Sequence, residues 1–504
     1  MVRARKNVVA NFLGRGISAA STLLFIPLYL RFLGIEAYGV VGFFAVLQTV
    51  FAFADIGLTA TLNREMARMS VRDDAAPRMR DLVRTIEIVY WFAAVSAMLG
   101  LVAGAEIVAG HWLTAGHLER TEVVRAVRMM GVVFALQLPS GLYVGGMLGR
   151  ERQVLANALQ TSWNLLRGGG AVVVLWLASP TLVAFFGWQI AVNALYVVVT
   201  RQALISVLPS APDRARFRAV LLQEVWRYAA GMFGLALLSA GLSQTDRLAV
   251  SKLLSLEQFG YYVMAGALAQ VPLLIVGPVA SAMFPRFTVL LALGDRAALS
   301  ELYHRVCQVT STLALPVGLT LSAFSYFLVL LWTGSTVTAR EVWTVVSILS
   351  LGYTFLALQI IPYNLALASG WLSLNVTLSV VSLVLMVPLV IALVHRYGLL
   401  GGGIAWLCLN AGVTPPLIYF LHRRLLPGEA ARWWLQDVGR PFAAVLICIA
   451  IGYWLMPAQA SRLVGAMFIG VITSAAVAAA ALSIPGLVPF ALQRSRWRRA
   501  HSQA

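Results

Sequence analysis

Runs of about twenty apolar residues, the length a helix needs to cross a hydrocarbon core, recur from one end of this chain to the other. Short, basic stretches separate them. Fourteen such windows can be marked, at 10–30, 38–61, 85–105, 126–148, 157–178, 181–203, 228–251, 260–284, 306–331, 342–366, 371–394, 399–421, 441–457 and 463–485. Of the 504 residues 60% are hydrophobic and 12% charged, about half the charged share of a soluble domain, and the mean hydropathy is +0.82. Such a chain dissolves in a bilayer, not in water.

The charges that remain are informative by position. Lys+Arg is 38 against an Asp+Glu of 20, a net +18, and only Lys6 and Lys252 are lysines. Placing the N-terminus inside puts 27 of these cations in the inner segments and 7 in the outer loops. That asymmetry predicts cytoplasmic N- and C-termini and an even number of crossings. The scatter of cations through short loops is a topology signal, so nucleic acid is not an expected partner. MVRARK ahead of an apolar run has the look of a signal peptide, but Arg15 interrupts it and the apolar pattern continues to Leu30. The expectation is a retained first helix. Cys307, Cys408 and Cys448 lie in or beside apolar segments with no ligand spacing, so no disulfide framework or metal site is expected.

No loop exceeds about 25 residues, too short for a soluble active-site domain, and no phosphate-binding loop is present. An enzyme reading, a membrane-embedded polysaccharide polymerase or ligase, would have to rely on external-loop residues such as His111, His117 and Arg120.

The sequence repeats. RFLGIEAYG at 31–39 matches KLLSLEQFG at 252–260 with an offset of 221, pairing Arg31 with Lys252, Glu36 with Glu257, Tyr38 with Phe259 and Gly39 with Gly260. Each lies after the first helix of a half, and six helices separate them, so the copies have the same orientation. The expectation is an all-α polytopic membrane protein with about fourteen transmembrane helices. Two six-helix lobes form a parallel pseudo-twofold repeat around a central cavity, plus two extra C-terminal helices. The divisions are an N-lobe at 1–205, a cytoplasmic linker at 206–227, a C-lobe at 228–425, and helices 13 and 14 with a basic tail at 426–504. Two lobes around a midplane site are a transporter architecture that works by alternating access.

Ionisable groups in the spans are costly and mark candidate sites. Six stand out: Arg15, Asp55, Arg128, Arg167, Asp246 and Arg247. Arg167 is the strongest, near the middle of helix 5 and just before Gly168, Gly169 and Gly170. Arg15, Arg167, Arg247 and Arg128 are candidates to bind a substrate diphosphate in the cavity. Asp55 and Asp246 are candidates for ion coupling or for pairing with an arginine. Four arginines against two aspartates give a positive interior, which suits an anionic, phosphate-bearing substrate. Span amides such as Gln48, Gln137, Gln189, Asn193, Gln359 and Asn364 can bond sugar hydroxyls, or serve as glue between helices.

Three stretches carry a family resemblance: NFLGRGISAASTLLFIPLYLRFLGIEAYG at 11–39, FADIGLTATLNREMAR at 53–68 and SQTDRLAVSKLLSLEQFGYY at 243–262. With them the chain resembles the Wzx-type polysaccharide-biosynthesis flippases of the multidrug/oligosaccharidyl-lipid/polysaccharide exporter superfamily. The resemblance implies a V-shaped two-lobed bundle that moves undecaprenyl-diphosphate-linked oligosaccharide repeat units from the cytoplasmic to the periplasmic leaflet of a bacterial inner membrane, for O-antigen, capsule or exopolysaccharide assembly. It implies a monomeric transporter with no cofactor, coupled to a proton or sodium ion, beside a polymerase and a chain-length regulator. In the related lipid II flippases cavity arginines, one of them in helix 1, contact the diphosphate, and Arg15 and Arg247 lie in comparable helices. Helices 13 and 14 there form a groove for the lipid tail. A lipid II flippase or a cation-coupled drug antiporter of the same superfamily is the alternative.

Overall fold

The computed structural model describes residues 21, 23–51, 55, 57–70, 76–210, 215–456 and 461–484. Arg15 and the basic tail from 486 lie outside them. The described residues are almost wholly helical and hold no strand, apart from a single bridge between Thr114 and Ser255. A chain surrounded by hydrocarbon has no water to satisfy its peptide groups, and a helix satisfies them within one segment. Among the described residues ten helices are long and apolar enough to cross a membrane. The described helical stretches Leu23–Leu33 and Ile35–Phe51 are shorter, and the helices that hold Arg167 and Asp246-Arg247 are not among the ten.

The chain divides into two compact units, 1–260 and 261–504. The first contains α1 (Leu23–Leu33), α2 (Ile35–Phe51), α3 (Leu58–Met69), α4 (Ala76–Ile107), α5 (Arg120–Gly149), α6 (Gln153–Leu177), α7 (Leu182–Val207) and α8 (Ala219–Leu253). Within the second window α3 starts after Gly57, whose φ of 67° is one that side chains rarely adopt. Leu62 and Met66 of α3, Ile86 and Tyr90 of α4, Leu142 and Met147 of α5 and Leu204 of α7 form the core.

The repeated segments meet each other in this unit. A methyl group built on Gly39 would collide with the backbone oxygen of Leu256, and one built on Gly260 with the backbone oxygen of Ile35. The two glycines also face each other's amide nitrogens, at 3.4 and 3.2 Å from those positions. Around this contact the loop between α4 and α5 is tied down. Glu36 accepts hydrogen bonds from Gly116 N and His117 N, at 2.5 and 3.0 Å, while Leu256 N donates to Thr114 O at 2.9 Å. Trp112 Nε1 donates to Ser251 Oγ at 3.1 Å, and Lys252 donates to the carbonyl of His111.

α9 (Leu256–Ala269) begins in the first unit and ends in the second. The second unit continues with α10 (Val271–Leu293), α11 (Arg296–Ala323), α12 (Ser325–Thr333), α13 (Thr336–Ala368), α14 (Leu372–Tyr397), α15 (Leu399–Leu425), the single turn α16 (Ala430–Arg432), a π-helical stretch Trp433–Gly439, α17 (Arg440–Leu455) and α18 (Arg462–Leu482). Side-chain oxygens cap several starts: Asp295 accepts from Ala298 N at 3.0 Å and Ser335 from Thr338 N at 3.2 Å. Phe287, Tyr303, Leu365, Leu417, Leu421 and Trp433 fill the core. Polar side chains join helices across it. Gln359 Nε2 of α13 donates to Asn410 O and Thr414 Oγ1 of α15, at 2.7 and 2.9 Å. Asn364 Nδ2 reaches Ala280 O of α10 at 3.3 Å. In the first unit Gln48 of α2 likewise donates to Gln137 of α5.

Candidate functional site

Arg167 is held by α6 where that helix has no side chains after it for three residues. Gly168 lies against the ring of Phe25 and Gly170 against that of Trp188, so α1 and α7 approach α6 closely on either side. Tyr29 of α1 donates to Gly168 O at 2.8 Å. The Arg167 guanidinium sits 4.8 Å from the centre of the Trp163 ring, one turn back on α6. Trp163 in turn stacks on Tyr196 of α7, with ring centres 4.8 Å apart and planes 16° from parallel. Among the described residues Arg167 forms no ion pair. A cation over an aromatic face is attracted by the ring's quadrupole, but its hydrogen-bond donors stay available for another ligand.

Further unpartnered polar atoms surround it. Trp163 Nε1, Gln189 Oε1 and Asn193 Oδ1 are buried with no hydrogen-bond partner among the described residues. Their other ends are fixed: Gln189 Nε2 donates to Arg167 O at 3.4 Å, and Asn193 Nδ2 to Gln189 O at 2.7 Å. One guanidinium, one indole N–H and two amide oxygens are thus grouped along α6 and α7. Buried polar groups without partners carry a free-energy cost; a ligand oxygen would satisfy the indole N–H and the guanidinium, and ligand hydroxyls would satisfy the two amide oxygens. The sequence pointed to Arg167 through its depth; Trp163 and Tyr196 gave no separate signal.

The other candidates are dispersed. Among the described residues Asp55 pairs with no arginine. Its carboxylate accepts from Thr59 N at 3.1 Å and Thr59 Oγ1 at 2.5 Å, at the start of α3, and Thr59 Oγ1 lies 2.8 Å from Tyr90 Oη. Arg128 lies in the first half of α5, half-exposed, with Nη2 3.4 Å from Glu106 Oε1; Arg120 reaches the same carboxylate at 3.6 Å. Asp246 is buried in α8, and Arg247 beside it is half-buried and acts electrostatically on Tyr38 of α2.

Two buried charge clusters had escaped the sequence reading. Glu87 of α4 is 4% exposed and accepts from Tyr143 Oη at 2.7 Å, Arg201 Nε at 2.6 Å and Arg84 Nη1 at 2.9 Å. In the second unit His304 of α11 lies between two carboxylates. Its Nδ1 is 2.5 Å from Asp437 Oδ2 and its Nε2 is 3.2 Å from Glu429 Oε2, while Gln308 donates to Asp437 Oδ1 at 2.9 Å. An acid inside the apolar run IEIVYWF was a visible signal for Glu87. His304 and Asp437 are 133 residues apart, and only the fold brings them together.

Many apolar, membrane-length helices define a multi-pass membrane protein, and the proteins it is similar to are transporters and flippases. The profile of the polysaccharide biosynthesis protein family matches residues 29–340, and the chain belongs to that family. It is 23% identical over 424 residues to a Shigella flexneri protein described as "Putative O-antigen transporter", covering 83% of this chain and 98% of that one. Among solved structures it is similar to the lipid II flippase MurJ in an inward closed conformation, with a TM-score of 0.70 at 11% identity over 93% of this chain and 98% of the other. It is also similar to an inward-facing multidrug resistance MATE family transporter of the MOP superfamily, with a TM-score of 0.67 at 15% identity over 82% and 96%. The fold is that of the multidrug/oligosaccharidyl-lipid/polysaccharide exporters.

Proposed function

We propose that this protein flips undecaprenyl-diphosphate-linked oligosaccharide repeat units from the cytoplasmic to the periplasmic leaflet of a bacterial inner membrane, for the assembly of a surface polysaccharide. The observation that carries the reading is Arg167: a guanidinium within a helix of a membrane protein, stacked on Trp163, with no carboxylate paired to it among the described residues. A diphosphate cannot cross hydrocarbon unaided. A cation held ready for it removes much of the electrostatic barrier, and the adjoining indole and amide groups of Trp163, Gln189 and Asn193 suit sugar hydroxyls. The polyprenyl tail stays in lipid throughout. Family membership and the similarity to an O-antigen transporter support this substrate class.

The excess of cations in alternate loops supports cytoplasmic termini. The 221-residue repeat and the exchange of contacts between Gly39 and Gly260 support two six-helix lobes working by alternating access, coupled to a proton or sodium ion. Arg247 is a second candidate for the diphosphate, Asp246 for the coupling ion, and a polymerase and chain-length regulator are the partners that such an assembly line requires.

Deletion of the gene, followed by leaflet-resolved analysis of lipid-linked oligosaccharides, tests the reading. Complete repeat units are expected to accumulate on the cytoplasmic side while surface polymer is lost. Units that reach the periplasmic side and stay unpolymerised would overturn it in favour of a polymerase.

A further inference from the structure

A second polar site lies in the first unit, and it shares no residue with the Arg167 group. The first turns of α4 and the last turns of α5 and α7 line a cavity of about 130 Å³. One wall is cationic, with Arg80 and Arg84 from α4 and Arg201 from α7; the other is hydrocarbon, with Val83, Leu204 and Leu208 among its residues. Among the described residues the carboxylate in the lining is Glu87, so these lining residues carry a net charge of about +2 from three guanidiniums and one acid.

Glu87 does not cancel that charge so much as aim it. It takes Nε from Arg201 and Nη1 from Arg84, and it is locked in turn by Tyr143. A guanidinium has five donors, so the bonds to Glu87 leave most of the donors of both forks unused. The side chains of Arg84 and Arg201 remain 47% and 41% exposed beside a carboxylate that is 5% exposed. Two planar forks braced on one buried acid form a preorganised receptor for a phosphate, which guanidinium binds bidentately.

The apolar wall says what kind of phosphate. Ile205, 36% exposed, continues from the cavity onto the outer face of α7, where Val198 and Leu195 are exposed at 56% and 55%. The three lie at i, i+3 and i+10, on one stripe of the helix. A ligand with its phosphate on the guanidiniums would lay a hydrocarbon tail along that stripe. Basic pockets between membrane helices at the cytoplasmic face bind anionic headgroups on this principle.

We propose that this cavity is a binding site for an anionic phospholipid, with one phosphodiester on Arg84 and Arg201 and an acyl chain along α7. Its place in the cytoplasmic leaflet rests on the orientation proposed above; the binding itself does not. The site adjoins the segment that leaves α7, which is strapped to α4. Arg80 Nε donates to Pro209 O at 2.9 Å, Arg216 N donates to Asp81 Oδ1 at 2.8 Å, and Arg218 Nε lies 2.6 Å from Asp81 Oδ2. Lipid bound there steadies the start of the connection from α7 to α8.

Native mass spectrometry of the full chain in detergent tests this independently of transport, so it can fail while the flippase reading stands. The probes are phosphatidylglycerol, phosphatidylcholine of the same chains, and inorganic phosphate. One phosphatidylglycerol should bind about tenfold more tightly than phosphatidylcholine, with no displacement by inorganic phosphate. Arg84→Gln with Arg201→Gln should weaken it about tenfold, as should Ile205→Trp, which fills the apolar side while every ion pair is kept. Equal binding of the two lipids, or phosphatidylglycerol bound unchanged by both variants, would overturn the proposal. Displacement by inorganic phosphate would assign the guanidiniums to a soluble phosphate ester and would overturn the lipid site.

Discussion

Gly39 and Gly260 face each other in a reciprocal contact: each lies where any side chain would strike the backbone four residues ahead of the other glycine, at Leu256 and at Ile35. Both pairs, 39 with 260 and 35 with 256, are separated by the same 221 residues that relate the two copies of the repeated segment. A local twofold axis therefore passes between the two glycines. Absence of a Cβ lets two helix starts approach at backbone distance, which is the use membrane helices make of small residues.

Alanine at either glycine tests the closeness of this contact. A Cβ at position 39 or 260 has a backbone oxygen in its place, and backbone cannot rotate away as a flexible side chain can. Gly39→Ala and Gly260→Ala should each destabilise the protein by about 1–3 kcal/mol, the usual cost of overpacking. The double variant should lose less than the sum, because the first substitution already parts the helices. Thermal unfolding of the purified protein in detergent measures all three, and unaltered melting would show that the approach is looser than described.

For Arg167 the expected result separates charge from shape. Arg167→Ala should reduce surface polysaccharide about tenfold or more while the protein remains in the membrane at normal amount. Arg167→Lys should restore part of it, since lysine keeps the charge and loses the planar fork and the full stacking on Trp163. Trp163→Leu should lower transport less than Arg167→Ala. Quantifying surface polymer against membrane-inserted protein checks each; wild-type polymer from Arg167→Ala would remove Arg167 from the substrate path.

The sequence made the class of this protein plain and the site only in part. Apolar windows and basic loops report the bilayer directly, because hydrocarbon imposes one solution on the backbone. The repeat was legible too, since Gly39, Glu36 and their counterparts recur at a fixed offset. Arg167 stood out by depth alone. What could not be read was pairing. Asp55 was open to a coupling ion or an arginine, and among the described residues its carboxylate bonds Thr59 four residues on; Arg128, offered for the cavity, reaches Glu106. Glu87 was passed over because its three partners come from three different places in the chain. Charges in a membrane are settled by neighbours in space, and one sequence without relatives does not list them.

The His304–Asp437 pair holds the π-helical stretch before α17 onto α11. Asp437 is fully buried, and His304 is 1% exposed. Asp437→Leu removes the acceptor of His304 and Gln308 together and should cost about 3–5 kcal/mol, the usual penalty for breaking a buried pair from one side. Adding His304→Leu should recover part of that loss, because two apolar groups leave no orphaned buried polar group between them. Melting temperatures of the two variants decide it. A double variant no better than Asp437→Leu would mean that Glu429, 3.2 Å from His304 Nε2, carries more of the attachment than Asp437.

Orientation gives the last prediction, and the one that most affects the rest. Glu119 and Ser70 are both exposed. Glu119 ends the loop braced by Glu36, and Ser70 closes α3 in the segment 62–84, which holds six arginines. The charge asymmetry places that segment in the cytoplasm and Glu119 outside. Single cysteines at these two positions, in a chain whose Cys307, Cys408 and Cys448 are alanine, should therefore respond oppositely to a membrane-impermeant thiol reagent. Glu119→Cys should label in intact spheroplasts, and Ser70→Cys only after lysis. The reverse pattern would invert the whole chain. Arg84 and Arg201 would then sit at the periplasmic face, where the anionic lipid would be drawn from the opposite leaflet, and export of repeat units would need the cycle to run with the other end of the bundle open to the cytoplasm.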